Sequence, residues 1–467
     1  MKRNLFDRAV EYFAPMRAAK RLRARMALDS VRGFDGAKRG PRSAGWKAGG
    51  GSANAELAPA LATLRNRSRD LVRNNGHIKH ALNVKVGNLI GTGIKAKFDD
   101  EALQALWNDW IEECDAGGLL DFNGIQAQTC RAMEESGECF LRFRTRTLDD
   151  DLTVPLQLQV LEADFLDSNR TGPVPSGFCI MGVQFNLIGQ RTGYWFFDQH
   201  PGEIATVPRN MQSRFVPAGD VIHLFDSTKR PGSVRGLPEF AVSIWKARDL
   251  DEYQDAELVR KKIEACFAAF VTSSDDGFSV GKPIGAGASA GGPRVESLSP
   301  GMVEYLRQGE TVEFAAPASN NGYEASVRVD LRALAAGSDI TYEQLTGDYS
   351  QVNFTSGRMG KIEFKRIQEQ KLWLVVVPLL CKVVAKRFVS TAYLAGETKL
   401  TRCKVTWTPH RVEFIDPLRE ANGLIALIDA HLKSRHQVIR ELGDDPDQTD
   451  REISEDSLLI EVPVSGG

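Results

Sequence analysis

The sequence predicts an α+β fold built from several subdomains, and three observations carry that expectation. Apolar residues recur at helical spacing through about residues 54–136, and the period then shortens to two from Glu138 to Asp226. Residues 239–272 next form a stretch poor in helix breakers, followed by a Gly/Ser/Pro-rich insertion and a second helical stretch at about 324–337. At 467 residues the chain is too long for one ordinary core, so about two to four subdomains are expected.

Taken in order, residues 1–30 read as a basic helix with Lys2, Arg3, Arg8, Arg17, Lys20, Arg21, Arg23 and Arg25. Gly33–Gly51 reads as a Gly/Pro-rich linker. From Asn54, Leu57, Leu61, Leu64, Leu71 and Val72 mark a helix running to Gly76. Further helices are predicted at 77–90, closed by Gly91-Thr92-Gly93; at 100–115, with Leu103, Leu106, Trp107 and Trp110 on one face; and at 123–136, closed by Gly137. Alternation then predicts strands at Cys139–Arg144, Leu156–Val160, Ile180–Phe185, Gly193–Phe197 and Phe215–Phe225. Lys229-Arg230-Pro231-Gly232 makes a turn, because Pro fixes φ and Gly tolerates the positive φ that follows. Pro238 opens the long helix to 272. A strand at Glu310–Phe314, a helix at 324–337 and a polar loop at 338–357 follow. The expected remainder is a long helix at 358–395 kinked by Pro378, a strand at 404–407, a helix from Pro417 to about Leu442, and a loose acidic tail.

Composition excludes several classes. Apolar content of 42% and charged content of 26% are those of a soluble globular chain. The seven cysteines form no C-x-x-C and are odd in number, which points to free thiols. The most apolar run, Leu372–Val384, is broken by Pro378 and Lys382 and falls short of the roughly 20 residues of a membrane span. Gly87–Gly93 is spaced G-x-x-x-G-x-G after a helix, so it reads as a helix stop and not as a dinucleotide loop. Gly281-Lys282-Pro283 lacks the rest of a phosphate-binding loop. His77 and His80 have no further ligands nearby in sequence, and His223 sits in an apolar strand as a hydrogen-bonded core histidine would. Glu134, Glu135 and Glu138 are carboxylates at a helix end. No catalytic residue, cofactor site or metal site is predicted.

Two segments carry more. Val216–Pro238 reads VPAGDVIHLFDSTKRPGSVRGLP, a buried strand, a turn and a helix start. Leu334–Arg358 contains an Ala/Gly helix end, an aromatic before Glu343, Leu345-Thr346-Gly347-Asp348, and Asn353-Phe354-Thr355-Ser356-Gly357-Arg358. Together with Arg73-Asn74-Asn75, Gly87–Ile94, Met133–Glu138, Leu158–Asp167, His200-Pro201-Gly202, Asp255–Leu258 and Leu298–Glu310, these stretches are collinear over roughly 65–360. In that order they resemble the lambda-type family of tailed-phage portal proteins. The chain departs from the family pattern at Ser338-Asp339, where an apolar residue and Gly are common.

The resemblance implies a ring-forming portal fold. Its parts would be a basic N-terminal arm and linker (1–53), a wing (54–235), a stem helix (236–272), a clip (273–323), a second stem helix (324–338), a channel loop (339–357), a wing helix and strand (358–416), and a crown helix with acidic tail (417–467). It implies a ring of about twelve subunits at one capsid vertex of the virion, assembled in the host cytoplasm, through which double-stranded DNA passes without sequence preference. Implied partners are the terminase large subunit, the major capsid and scaffolding proteins, and head-completion proteins, with no membrane. Thr341, Gln344, Asp348, Tyr349, Gln351, Asn353, Phe354 and Arg358 would face the channel, and Lys282, Arg294, Glu304 and Arg307 would dock terminase. The net charge of −2 suits a conduit, because a wholly basic lumen would trap DNA. The alternatives are a DNA-packaging enzyme, nuclease or motor subunit, which needs a metal site or P-loop, and a scaffold or adaptor that forms no ring.

Overall fold

The computed structural model describes residues 48–203, 211–265, 269–273, 310–314, 322–410 and 416–460, with Met16, Lys20, Gly45 and Phe414 besides. The elements below all belong to the unit that begins at Ala53. Five helices open it: α1 (Ala53–Leu57), α2 (Leu61–Asn74), α3 (Gly76–Leu89), α4 (Glu101–Glu113) and α5 (Phe122–Ser136). Pro59 separates α1 from α2, where a single helix was expected. The side chains of Asn75, Asp100 and Asp121 accept from the backbone N–H groups of Ile78, Leu103 and Gly124, capping α3, α4 and α5.

The period-two region is antiparallel. Strand β1 (Lys95–Phe98) precedes it and pairs with the late strand β12 (Val405–Thr408). Strands β2 (Glu138–Thr145), β3 (Leu156–Glu162) and β9 (Val221–Phe225) form one sheet in the order β3-β2-β9. A meander of β4 (Gly172–Val174), β5 (Gly177–Ile180), β6 (Val183–Asn186), β7 (Arg191–Phe196) and β8 (Arg214–Pro217) forms the other. Two expected strands are thus each divided. Ile180–Phe185 reverses at Met181 and Gly182, whose φ values of 47° and 83° make a left-handed pair of the kind that joins tight hairpins. Phe215–Phe225 is broken by a 3₁₀ turn at Ala218–Asp220.

Helix α6 (Ile244–Ala265) follows a 3₁₀ turn at Glu239–Val242 and is shorter than the 239–272 expected. Ala269–Ser273 is strand β10, paired antiparallel with β11 (Glu310–Phe314); its Phe-Val-Thr content suits an extended chain better than a helix. Helix α7 (Tyr323–Gly337) returns and touches α6. Then come α8 (Tyr342–Thr346), α9 (Phe354–Lys371), a π-helical segment Leu372–Cys381 and α10 (Lys382–Ala395). Helix α9 runs without a break into α10, because the wider π turns accommodate Pro378, which has no N–H to give. The region expected as one helix to Leu442 is two, α11 (Pro417–Asp429) and α12 (Arg435–Glu441), and part of the expected loose tail is α13 (Pro446–Ile460).

Three buried clusters hold these elements. The largest packs Trp107, Trp110 and Phe122 against Phe388 and the apolar run Leu372–Ala392. Trp107 meets Phe388 edge-on with ring centres 5.0 Å apart. A second joins α2 and α3 to Phe240, Leu250, Leu334 and Leu345. A third fills the space between the two sheets around Phe140, Val183, Tyr194 and Phe196. The described cysteines are free thiols, and no described helix is long and apolar enough to cross a membrane.

Candidate functional site

Two of the sequence stretches singled out above meet at one place. Met133–Glu138 ends α5 and starts β2, and Arg235–Pro238 leads towards α6. Their backbones touch: a Cβ on Gly236 would stand 2.0 Å from the Gly137 carbonyl oxygen, and a Cβ on Gly137 would stand 2.5 Å from the Leu237 backbone. Both glycines are required by this approach, and Gly137 also takes φ of 91° at the helix C-terminus.

Directly beside that contact lies a buried ionic cluster. The Glu138 carboxylate accepts from Arg235 Nε at 2.9 Å, from the Gly236 N–H at 3.0 Å and from His223 Nε2 at 3.0 Å. The Arg235 guanidinium also donates to Ser168 and to the Met181 carbonyl. Arg65 joins Glu138 at 3.7 Å and Asp164 at 3.0 Å, so α2 is tied in as well. Burial alone would raise the Glu138 pKa, but Arg235 and His223 outweigh it and hold the group well below the usual carboxylate range. Arg191 Nη1 donates to His223 Nδ1 at 3.0 Å, which leaves a neutral ring with its proton on Nε2 facing Glu138. Burial lowers the His223 pKa to about 4.

That shift has a testable sign. Between about pH 6.5 and about pH 4 the unfolded chain binds a proton at His223 that the folded chain refuses. Stability should be complete above pH 6.5 and fall across this window as the pH drops, by on the order of 3 kcal/mol for this group. Urea midpoints measured at pH 7 and pH 5 check it: a His223→Asn variant should lose most of the difference between them, and an unchanged difference would place the response elsewhere.

A second buried cluster lies between the turn before α6 and the segment that follows α7. Lys371, the last residue of α9, binds Glu134 at 2.6 Å and Glu239 at 3.5 Å. Lys85 binds the same two carboxylates at 3.2 and 3.3 Å and donates to the Ser338 carbonyl at 3.2 Å. Lys229 also reaches Glu239. Burial works against charge on Lys371 and Glu239, yet the Lys371 pKa is raised and the Glu239 pKa lowered because each stands in the field of its partners. Ser338 and Lys371 bracket the loop region, so both its flanks are anchored on one set of charges.

Between those anchors the chain is more ordered than a polar loop. Thr341 caps α8 and forms a reciprocal capping box with Gln344, and Gly347 closes that short helix at φ of 70°. Asp348 accepts from the Ser350 N–H and from the Tyr342 hydroxyl, and these hydrogen bonds, that of Ser350 foremost, lower its pKa. Asn353 caps α9 by accepting from the Ser356 N–H at 2.8 Å. Tyr349 and Phe354 are 64% and 54% exposed, so two aromatic rings stand free of the core. Gln351 and Arg358 are exposed, and Arg358 makes no ion pair among the described residues.

With this geometry in view, comparison with known proteins is informative. The family model described as phage portal protein, lambda family, matches residues 39–371. The chain belongs to the lambda family of phage portal proteins. The portal protein of Escherichia phage N15 is 25% identical, over 88% of this chain and 86% of its own length. Portal protein B of Escherichia phage lambda is 23% identical, over 86% and 84%. Among solved structures, a chain of the native gene transfer agent virion is similar at 14% identity and a TM-score of 0.45, covering 83% of this chain and 94% of its own. Family membership rests on the family match and the phage relatives, not on that weaker likeness.

In this portal chain the channel-loop candidates divide by what they already do. Thr341, Gln344 and Asn353 are committed to helix caps and Asp348 to the turn, while Tyr349, Gln351, Phe354 and Arg358 remain outward. The loop expected over 339–357 is therefore a short helix, a turn and the first residues of α9, because cap residues stand at both helix starts. The clip candidates Lys282, Arg294, Glu304 and Arg307 lie outside the described residues. Of the helix-end carboxylates, Glu134 and Glu138 centre the two buried clusters, and the carbonyl of Glu135 accepts from Ser68. Arg235 lies in a stretch singled out from sequence but was given no role there, and Arg65, Lys85, Glu239 and Lys371 were not singled out. The signal was present for two of them: Arg65 lies on the stripe of Leu61, Ser68 and Leu71, and Lys85 on that of Ile78, Leu82 and Leu89.

Glu162, Asp164 and His200 bring three potential metal ligands within 4.8 Å of one another. Arg69 binds both carboxylates, at 3.2 and 2.7 Å, and Arg65 also binds Asp164, so the cluster's charge is already matched by guanidinium groups. A cation there would be repelled by both.

Proposed function

We propose that this portal protein forms a closed ring of about twelve subunits at one vertex of a phage capsid, and that double-stranded DNA passes through it by way of the loop at 339–357. The observation that carries the channel role is the loop's chemistry. Tyr349, Gln351 and Phe354 are exposed, and no lysine or arginine occurs from Ser338 until Arg358. Amides and aromatic edges contact a duplex briefly, whereas each added phosphate-binding cation would strengthen binding by counterion release. The stem formed by α6 and α7, with both loop flanks anchored on buried charge, supports a rigid mount for such a loop. The clip, residues 273–323 with Lys282, Arg294, Glu304 and Arg307, would take the terminase large subunit and head-completion proteins. The wing would face major capsid and scaffolding proteins. The role is structural, performed at the virion portal vertex after assembly in the host cytoplasm, and needs no cofactor.

The test uses charge. Gln351→Lys, combined with Ser350→Lys, should leave assembly intact and slow packaging in a salt-dependent manner, the deficit shrinking as salt rises. Packaging kinetics in a defined terminase reaction at two salt concentrations read this. A rate equal to that of the unmodified ring at low salt would remove the loop from the DNA path.

A further inference from the structure

A groove of about 1210 Å³ runs beside the channel loop, between the first half of α9, the Thr406–His410 segment and α12. It is larger than the roughly 300–1,000 Å³ of small-molecule clefts. Its walls hold three polar groups without hydrogen-bond partners among the described residues: both amide atoms of Gln368, the Trp407 Nε1 and the His410 Nδ1. Gln368 is only 5% exposed and Trp407 6%, so water does not readily compensate them. His410 sits against Gly91, where a Cβ would stand 2.5 Å from its ring, and burial lowers its pKa, so the neutral ring offers Nδ1 as donor or acceptor. Tyr349, Phe354 and Trp373 give the groove exposed aromatic surface. Its charges are mixed but lean positive: Arg358, Lys361, Lys365, Lys433 and Arg440 stand with Glu343, Glu369 and Glu441. A helix bearing both signs with an acidic excess would match that balance.

The same chain carries a helix with the complementary surface. None of the residues of α11 is buried. Leu418 is 73% and Ile425 55% exposed, and Asn422, exposed and without a side-chain hydrogen bond among the described residues, lies between them on that face. Two aliphatics flanking an amide at positions i, i+4 and i+7 form one helical stripe. Arg419, Glu420 and Asp429 give α11 both signs of charge as well. No residue of α11 lines the groove of its own subunit.

We propose that α11 of one copy seats in this groove of the next, with Leu418 and Ile425 against the Trp373 ring and the Asn422 amide meeting Gln368. A helix laid in a groove is a recurrent mode of recognition, and a groove on one side with a helix on the other is the heterologous contact that closes rings. The assignment deepens the ring reading and rests on it.

Two variants test it by mass photometry at micromolar concentration. Trp373→Arg spoils the groove, and Leu418→Asp with Ile425→Asp spoils the helix; both sites are exposed, and circular dichroism melting shows whether each chain stays folded. Each variant alone should yield at least about tenfold fewer rings than the unmodified protein. Mixed, they should form dimers and stop there, because only one intact helix–groove pair can arise between them. A photo-cross-linker in place of Trp373, in rings assembled from isotopically labelled and unlabelled chains, should join residues 417–429 of another copy. Normal ring abundance from both variants, or cross-links that map elsewhere or within one chain, would overturn the assignment and leave the ring reading standing. An unmodified protein that is monomeric would instead defeat the ring reading itself.

Discussion

Glu138→Ala should sharply lower both the stability and the yield of folded subunit. Glu138 is fully buried and neutralises Arg235, which is itself 1% exposed, and it shares Arg65 and His223 with the surrounding sheet and helices. Removing one partner of such a group leaves an uncompensated buried charge, which costs about 3–5 kcal/mol. A typical folding margin is about 5–15 kcal/mol, so one substitution consumes much of it. Soluble yield should collapse and the urea midpoint of any surviving protein should fall. Replacing both partners, Glu138→Leu with Arg235→Met, should recover part of the loss, since the charge penalty is then removed on both sides. A double variant as unstable as Glu138→Ala would show that the hydrogen bonds to Ser168 and Met181 matter more than the ion pair.

The second large effect is on DNA. Replacing Tyr349–Val352 by Gly-Ser-Gly-Ser retains both helix caps, Thr341 and Asn353, and both flanking anchors, Ser338 and Lys371. Rings should assemble normally, while DNA-filled particles fall by roughly tenfold or more. Particle counts by cryo-electron microscopy, full against empty, measure this. Full heads at normal frequency would show the segment to be a passive connection. An unassembled variant would show it to be part of the subunit contact.

The helices were legible because their apolar stripes are regular and their ends are marked: Asp100 and Asp121 before α4 and α5, and Gly137 after α5. The hairpin at Met181-Gly182 was not, since Met is an unusual residue at positive φ and the flanking residues alternate straight through it. The end of α6 at Ala265 was hidden for a related reason: no breaker precedes Ala269–Ser273, and its strand partner Glu310–Phe314 is distant in sequence. At the site, the capping boxes Thr341–Gln344 and Asn353–Ser356 could have been read from spacing and would have divided the loop correctly. The ionic clusters could not be paired from sequence, because Glu134–Lys371 and Glu138–Arg235 join residues far apart in the chain. Lys85 and Arg65 on apolar stripes announce only that a partner exists somewhere.

The central claim is that the subunit builds a closed conduit, and the mass of the purified assembly tests it most directly. Native mass spectrometry of the unmodified protein, without nucleotide or added metal, should return a single dominant species near twelve times the 51.5 kDa subunit. Monomers alone at micromolar concentration, or an open ladder of sizes with no preferred closure, would contradict it.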